Sequence, residues 1–142
     1  MKYPTILAAA SALLLGGCGQ QSFEAPKTAT PAILASGLQV YTANCATCHQ
    51  VDGSGVSNMQ PALLKDDVVN GDVDQLIRVV LKGPAAVLPA GRPRYSNVMP
   101  GFSRLNDQQI ADLLTYVRTT FGPQATLVQA SQVAAQRSAL GL

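Results

Sequence analysis

Apolar residues run almost unbroken from Ile6 to Leu15 and then recur at helical spacing in three later segments. The first of these opens at Thr30-Pro31, an N-cap residue followed by proline at the first helical position, and carries Ile33, Leu34, Gly37, Leu38 and Tyr41. That spacing predicts a helix from about Pro31 to Cys45. Gly37 costs such a helix roughly 1 kcal/mol relative to alanine, which points to another helix passing close by. The second segment runs from Asp72 to Lys82, with Asp72 as cap, Val73, Leu76, Ile77, Val80 and Leu81 as the apolar stripe, and Gly83-Pro84 as the stop. The third has the clearest signature. Asn106 and Gln109 are spaced as a capping box, and Ile110, Leu113, Leu114, Val117 and Phe121 share one face until Gly122-Pro123 ends the pattern.

Between these helices lie Val51–Pro61 (VDGSGVSNMQP) and Gly83–Gly101 (GPAAVLPAGRPRYSNVMPG), where no alternation persists long enough to predict a strand. The expected fold class is therefore all-α, with about three main helices and long Gly/Pro-rich loops. Loops near 20 residues without structure of their own are uncommon unless they serve a function. A prosthetic group wrapped by them would account for their length. The composition agrees: 47% of the 142 residues are hydrophobic, yet there is no Trp and only 5% are aromatic, so aliphatic side chains or a bound group must fill the core.

The apolar run from Ile6 to Leu15 follows Lys2 and precedes small residues, the layout of a secretory signal over residues 1–17. At about ten residues it is half the length that a helix needs to cross a bilayer. Leu15-Gly16-Gly17-Cys18 resembles a bacterial lipobox, which makes Cys18 the expected lipid anchor, in place of an unpaired thiol that would be a hazard in an exported protein. More than one acyl chain on that end suffices for stable anchoring. Residues 18–30 then read as the lipidated cysteine and a polar tether with a reach on the order of 20 Å. The expected location is the periplasmic face of a bacterial membrane. Residues 31–122 form the folded domain, and 123–142 a tail in which Leu127, Val128, Val133 and Leu140 are apolar candidates for a short helix lying on the domain.

The net charge of +2 includes Lys2, and the basic residues are scattered, which argues against nucleic acid as a partner. No repeat or low-complexity tract suggests a solenoid or extended disorder.

Two of the three cysteines and the only histidine fall within Cys45-Ala46-Thr47-Cys48-His49. Thiols three positions apart at a helix end can add to the two vinyl groups of one haem while the adjacent imidazole turns onto the iron, and C-x-x-C-H is the attachment signature of c-type haem. A thioredoxin-like pair would need a βαβ setting, a zinc site four ligands, and a structural disulfide would leave His49 unexplained. With no second histidine, a methionine thioether is the soft neutral ligand that makes an electron carrier of His-ligated haem. Met59, about ten residues beyond His49, is the less favoured candidate, placed to stay on the proximal side or to pack in the loop. Met99, in a loop stiffened by Pro93 and Pro100, is the expected second axial ligand. An open sixth position would instead suit a haem-based sensor or gas-binding protein. A peroxidase would need a distal acid–base histidine that the chain lacks.

Gly37 and Tyr41 before CATCH, then DGSG, Pro61-Ala62-Leu63, the MPGF segment and IADLLTYVRTTFG together resemble the class I, mono-haem c-type cytochromes over about residues 31–122. More loosely, the chain is similar to the small cytochrome subunits or electron acceptors of quinoprotein alcohol dehydrogenases. The resemblance implies that Cys45 and Cys48 carry thioether bonds to one covalent haem c, that His49 and Met99 ligate its iron, and that the Pro61 carbonyl receives the other imidazole N–H. It also implies a crossing of the first and last helices, Gly37 and Tyr41 meeting the region of Leu113 and Tyr116. The function it implies is one-electron transfer between a dehydrogenase donor and an oxidase or second cytochrome, as a free shuttle or as an obligate subunit of a dehydrogenase complex, without enzymatic turnover of a small-molecule substrate. Arg92, Arg94 and Tyr95 stand near Met99 and are candidate donors to the haem propionates. Asp66 and Asp67 read as ordinary exposed residues.

Overall fold

The computed structural model describes residues 28–93, 95–123 and 126–142. The helices in chain order are α1 (Pro31–Asn44), α2 (Ala46–His49), α3 (Asp67–Asn70), α4 (Val73–Lys82), α5 (Pro84–Val87), α6 (Asp107–Thr120) and α7 (Ala130–Ala139). No strand is present among the described residues, where an isolated Val56–Gln60 bridge is the nearest approach to one. Nor is any helix among them long and apolar enough to cross a membrane.

The three expected helices form for the anticipated reasons. Thr30 Oγ1 accepts the Ile33 N–H at 3.3 Å at the head of α1. Asp72 Oδ1 accepts the Gln75 N–H at 2.7 Å to open α4. The Asn106–Gln109 capping box is complete, with both bonds at 2.9 Å. The first helix ends one residue early, because Cys45 leaves helical geometry at φ −121°. That kink starts the separate turn of α2.

Gly37 sits where α1 crosses α6. A Cβ there would press on the Asp112 carbonyl oxygen and lie 2.5 Å from Cβ of Tyr116, so only glycine allows the two backbones this close. Tyr41, one turn on, stacks at 5.6 Å on Tyr116 and 5.3 Å on Phe121, and the Ser36 hydroxyl donates to Asp112 Oδ2 at 2.6 Å. The helix contact predicted for Gly37 and Tyr41 is thus present, centred on Asp112 and Tyr116. Ile110, Leu113, Leu114 and Val117 of α6 join Leu76, Ile77, Val80 and Leu81 of α4 in the core.

One feature differs from the sequence reading, and the tail can now be placed. Asp66 is no ordinary exposed residue: its Oδ1 accepts the Val68 and Val69 N–H groups at 2.9 and 3.0 Å and caps α3, while Asp67 is exposed as expected. The tail does form a helix, α7, but only Val128 and Val133 of its four apolar candidates are fully buried, and Leu127 and Leu140 are half-buried. The Val128 N–H donates to Thr115 Oγ1 at 3.0 Å, and Arg78 Nη1 donates to Gln136 Oε1 at 2.7 Å, so α7 is tied to both α6 and α4.

Candidate haem site

The one turn of α2 sets up the proximal wall. The Cys48 and His49 N–H groups both donate to the Cys45 carbonyl, at 3.1 and 2.9 Å, which winds Cys45, Cys48 and His49 around a single edge of a cleft of about 1190 Å³. The cleft exceeds the roughly 300–1,000 Å³ of ordinary small-molecule sites. Its floor is aliphatic, made by Val79 and Val80 of α4 and Leu113, Leu114 and Val117 of α6.

His49 is buried, and its Nδ1 lies 3.0 Å from the Pro61 carbonyl oxygen. A carbonyl can only accept, so Nδ1 carries the proton and Nε2 keeps its lone pair for a metal. The return of the chain to His49 depends on two glycines. The Gly55 N–H donates to the His49 carbonyl at 3.0 Å, and a Cβ on Gly55 would lie 2.5 Å from the Pro61 oxygen. Gly53, at φ +72°, lies against the Phe121 ring. The peptide after His49 is fixed as well: Gln50 has φ +65°, and its carbonyl accepts the Tyr41 hydroxyl at 2.5 Å.

Burial pushes the Cys45 thiol up to about 11, Cys48 adding to the rise and Arg104 opposing it. This describes the free thiol, before any bond to haem. Cys48 is exposed at the rim.

Across the cleft runs the loop that carries Met99. Its course is set by close backbone approaches: a Cβ on Gly83 would lie 2.8 Å from the Met99 carbonyl oxygen, and one on Gly101 would lie 2.5 Å from that of Leu81. The Phe102 N–H donates to the Val80 carbonyl at 2.8 Å. Met99 is half-buried against the core and borders the same cleft as Cys45, Cys48 and His49. Met59 is 43% exposed and does not line it. Arg92 and Tyr95 stand at the cleft edge, both exposed, whereas Arg94 and Cys18 lie outside the described residues.

Sequence reasoning missed Arg104. It lines the cleft, donates to Asn44 Oδ1 at 2.8 Å and stacks 5.0 Å above the Phe102 ring. A signal was available in its place five residues after Met99 and two after an aromatic.

Two thiols and a free imidazole nitrogen at one edge, a thioether at the same cleft and an aliphatic floor suit a large, flat, apolar macrocycle with a central metal. Among the described residues no group of three or more His, Cys, Asp or Glu side chains forms a metal site of its own.

The cytochrome c family model matches residues 34–121. The chain is 41% identical over 93 residues to the cytochrome c subunit of a quinone alcohol dehydrogenase from Gluconobacter oxydans, a match that takes in 63% of this chain and 19% of the relative. It is 38% identical over 106 residues to the gluconate 2-dehydrogenase cytochrome c subunit of Pantoea cypripedii, covering 72% of this chain and 24% of the relative. Cytochrome c-552 of Thermus thermophilus is 33% identical over 92 residues, which is 62% of this chain and 70% of that protein. The chain thus spans about a fifth of the length of the dehydrogenase subunits and most of the length of the small cytochrome. A complete C-x-x-C-H turn, a cleft shaped for a macrocycle and a family match from within α1 to the end of α6 lead to one conclusion: the chain belongs to the cytochrome c family, carries covalently bound haem c and functions in haem-based electron transfer.

Proposed function

We propose that the chain is a one-electron carrier whose haem iron is held between His49 and Met99, and that its donor is a dehydrogenase of the quinoprotein type. The observation that carries the ligand assignment is the cleft itself, which has His49 fixed through Nδ1 on one side and, of the two candidate methionines, only Met99 on its lining. When bound, the haem supplies an iron that alternates between ferric and ferrous states.

The chain's own residues set how that exchange proceeds. Cys45 and Cys48 would hold the haem through carbon–sulfur bonds to its two vinyl groups, each thiol hydrogen going to the neighbouring vinyl carbon, and so fix the ring in the cleft. The Pro61 carbonyl orients the His49 ring and increases the basicity of Nε2. Met99 would hold the iron through a neutral thioether sulfur, which favours the reduced state and raises the potential. Val79, Val80, Leu113, Leu114 and Val117 exclude water from the buried side, while the exposed Cys48 places one edge within reach of a partner protein. No substrate bond is made or broken. Brief docking suits this role, through a patch below about 1,200 Å².

The dehydrogenase donor is supported by the names of the relatives from Gluconobacter and Pantoea. For location, the sequence supports a lipid on Cys18 and residues 19–30 as a tether that keeps the domain at high local concentration beside membrane enzymes on the periplasmic face. A Cys18→Ala protein that stayed wholly with the membrane would remove the anchor. The carrier function is tested by a redox titration of the purified holoprotein together with exposure of its ferrous form to carbon monoxide. A one-electron slope without carbon monoxide uptake is expected. Ready uptake would show an open sixth position and favour a gas-binding protein instead. Stoichiometric co-purification with a dehydrogenase from membranes would mark the chain as an obligate subunit, not a free shuttle.

A further inference from the structure

We infer that α7 is a strap across the Met99 loop and that Arg137 is the positioning residue which fastens it, an inference that rests on Met99 being the sixth ligand. This helix lies beyond residues 34–121, so nothing in the family match accounts for it. Arg137 spends its guanidinium on one short turn of chain: Nη1 donates to the Ser103 carbonyl at 2.8 Å, Nη2 to the Leu105 carbonyl at 2.7 Å, and Nε to Asp107 Oδ1 at 2.9 Å. That turn is the exit of the Met99 loop. An exposed ion pair alone would contribute little. Here the side chain is only 20% exposed, and a planar fork addresses two backbone carbonyls as well as a carboxylate, an arrangement no single flexible contact reproduces.

The residue beside Arg137 reaches the opposite wall of the same loop. Gln136, next to Arg137, accepts from Arg78 of α4, and the C-terminal turn of α4 carries the Val80 carbonyl that holds the Phe102 N–H. The same turn supplies the Leu81 and Gly83 backbone against which Gly101 and the Met99 carbonyl pack. Val133, with no exposed surface, and the Val128–Thr115 bond in the segment leading into α7 hold the strap against α6 on the N-terminal side of these two residues. Met99 therefore sits on a segment without a helix of its own whose neighbours, α4 and the 103–107 turn, are joined to each other through α7. Opening that segment enough to withdraw the sulfur from iron requires the Arg137 contacts to stretch or break.

The test uses the full-length holoprotein and imidazole as the competing ligand, its displacement of methionine sulfur followed through the weak far-red absorption band that a thioether gives on ferric haem. Where loop opening limits the exchange, Arg137→Ala is expected to speed imidazole binding about ten-fold, the consequence of losing charge-assisted bonds from a local opening equilibrium. Arg137→Lys, which keeps the charge but not the fork, should speed it about three-fold and remains informative if the alanine variant fails to hold haem. Thr30→Ala, which removes the α1 cap far from the loop in sequence, should lower thermal stability and leave the rate within about two-fold of the parent. Unchanged rates in both Arg137 variants, or an equal acceleration in Thr30→Ala, overturn the strap while the ligand assignment stands. A parent protein lacking the far-red band overturns the assignment and the strap together.

Discussion

Replacing Gly37 by alanine separates two physical effects by sign. In an isolated helix, alanine would add about 1 kcal/mol of stability. At the α1–α6 crossing, however, the new methyl would lie 2.5 Å from Cβ of Tyr116 and 2.9 Å from the Asp112 carbonyl carbon. Non-bonded carbons rest at about 3.5–4.0 Å, so the helices must part by roughly 1 Å. The obstacles are backbone atoms and a Cβ, which cannot rotate away, so the overpacking cost belongs at the upper end of its range, about 3 kcal/mol. The net expectation is a loss of about 2 kcal/mol, or roughly 5–10 °C in Tm for a domain of this size. Urea and thermal unfolding of the holoprotein by circular dichroism measure it. Because α1 leads directly into Cys45, parting the helices should also disturb the haem wall and shift the midpoint potential. An alanine variant as stable as the parent, or more so, would refute close packing at this position.

Tyr41→Phe should cost about 1–3 kcal/mol at neutral pH, since it leaves the Gln50 carbonyl without its buried partner. The same variant should flatten the alkaline limb of stability. Burial foremost, with Tyr116 and Asp52 adding and Cys45 contributing only as a free thiol, holds the Tyr41 hydroxyl above its ordinary value of 10.0, so the folded protein keeps a proton that the unfolded chain releases. That contribution is complete below about pH 10 and declines as pH rises past it, a slope the parent should show in urea midpoints and the phenylalanine variant should lack. Asp66→Ala removes the cap of α3 and should lower stability by about 0.5–2 kcal/mol, with little effect if the two backbone bonds are dispensable. Arg92→Gln should move the midpoint potential if this exposed guanidinium at the cleft edge faces a propionate, and an unmoved potential would return Arg92 to the solvated surface.

Long periodic segments and their punctuation were readable in the chain: Thr30-Pro31, Asp72 and the Asn106–Gln109 pair each act locally, within four residues of the helix they start. The haem-attachment turn was readable for the same reason, since its chemistry is contiguous. Helices α3 and α5 were not, because four residues hold too little of a 3.6-residue period to register, and Asp66 was misread with them. Gly37 by itself announced only a close approach; its partner, 75 or more positions along the chain, was reached through the family resemblance. Arg137 gave no signal at all. Its role depends on carbonyls of Ser103 and Leu105, and a backbone acceptor leaves no mark in the identity of the residue that bears it.

The placement of iron between His49 and Met99 is tested most directly by the far-red absorption of the oxidised holoprotein, recorded for the parent chain and for Met99→Ala. The parent should show the thioether band, and the alanine variant should lose it while keeping its covalent haem at Cys45 and Cys48. A folded parent protein without the band, or a variant that retains it, would contradict the account.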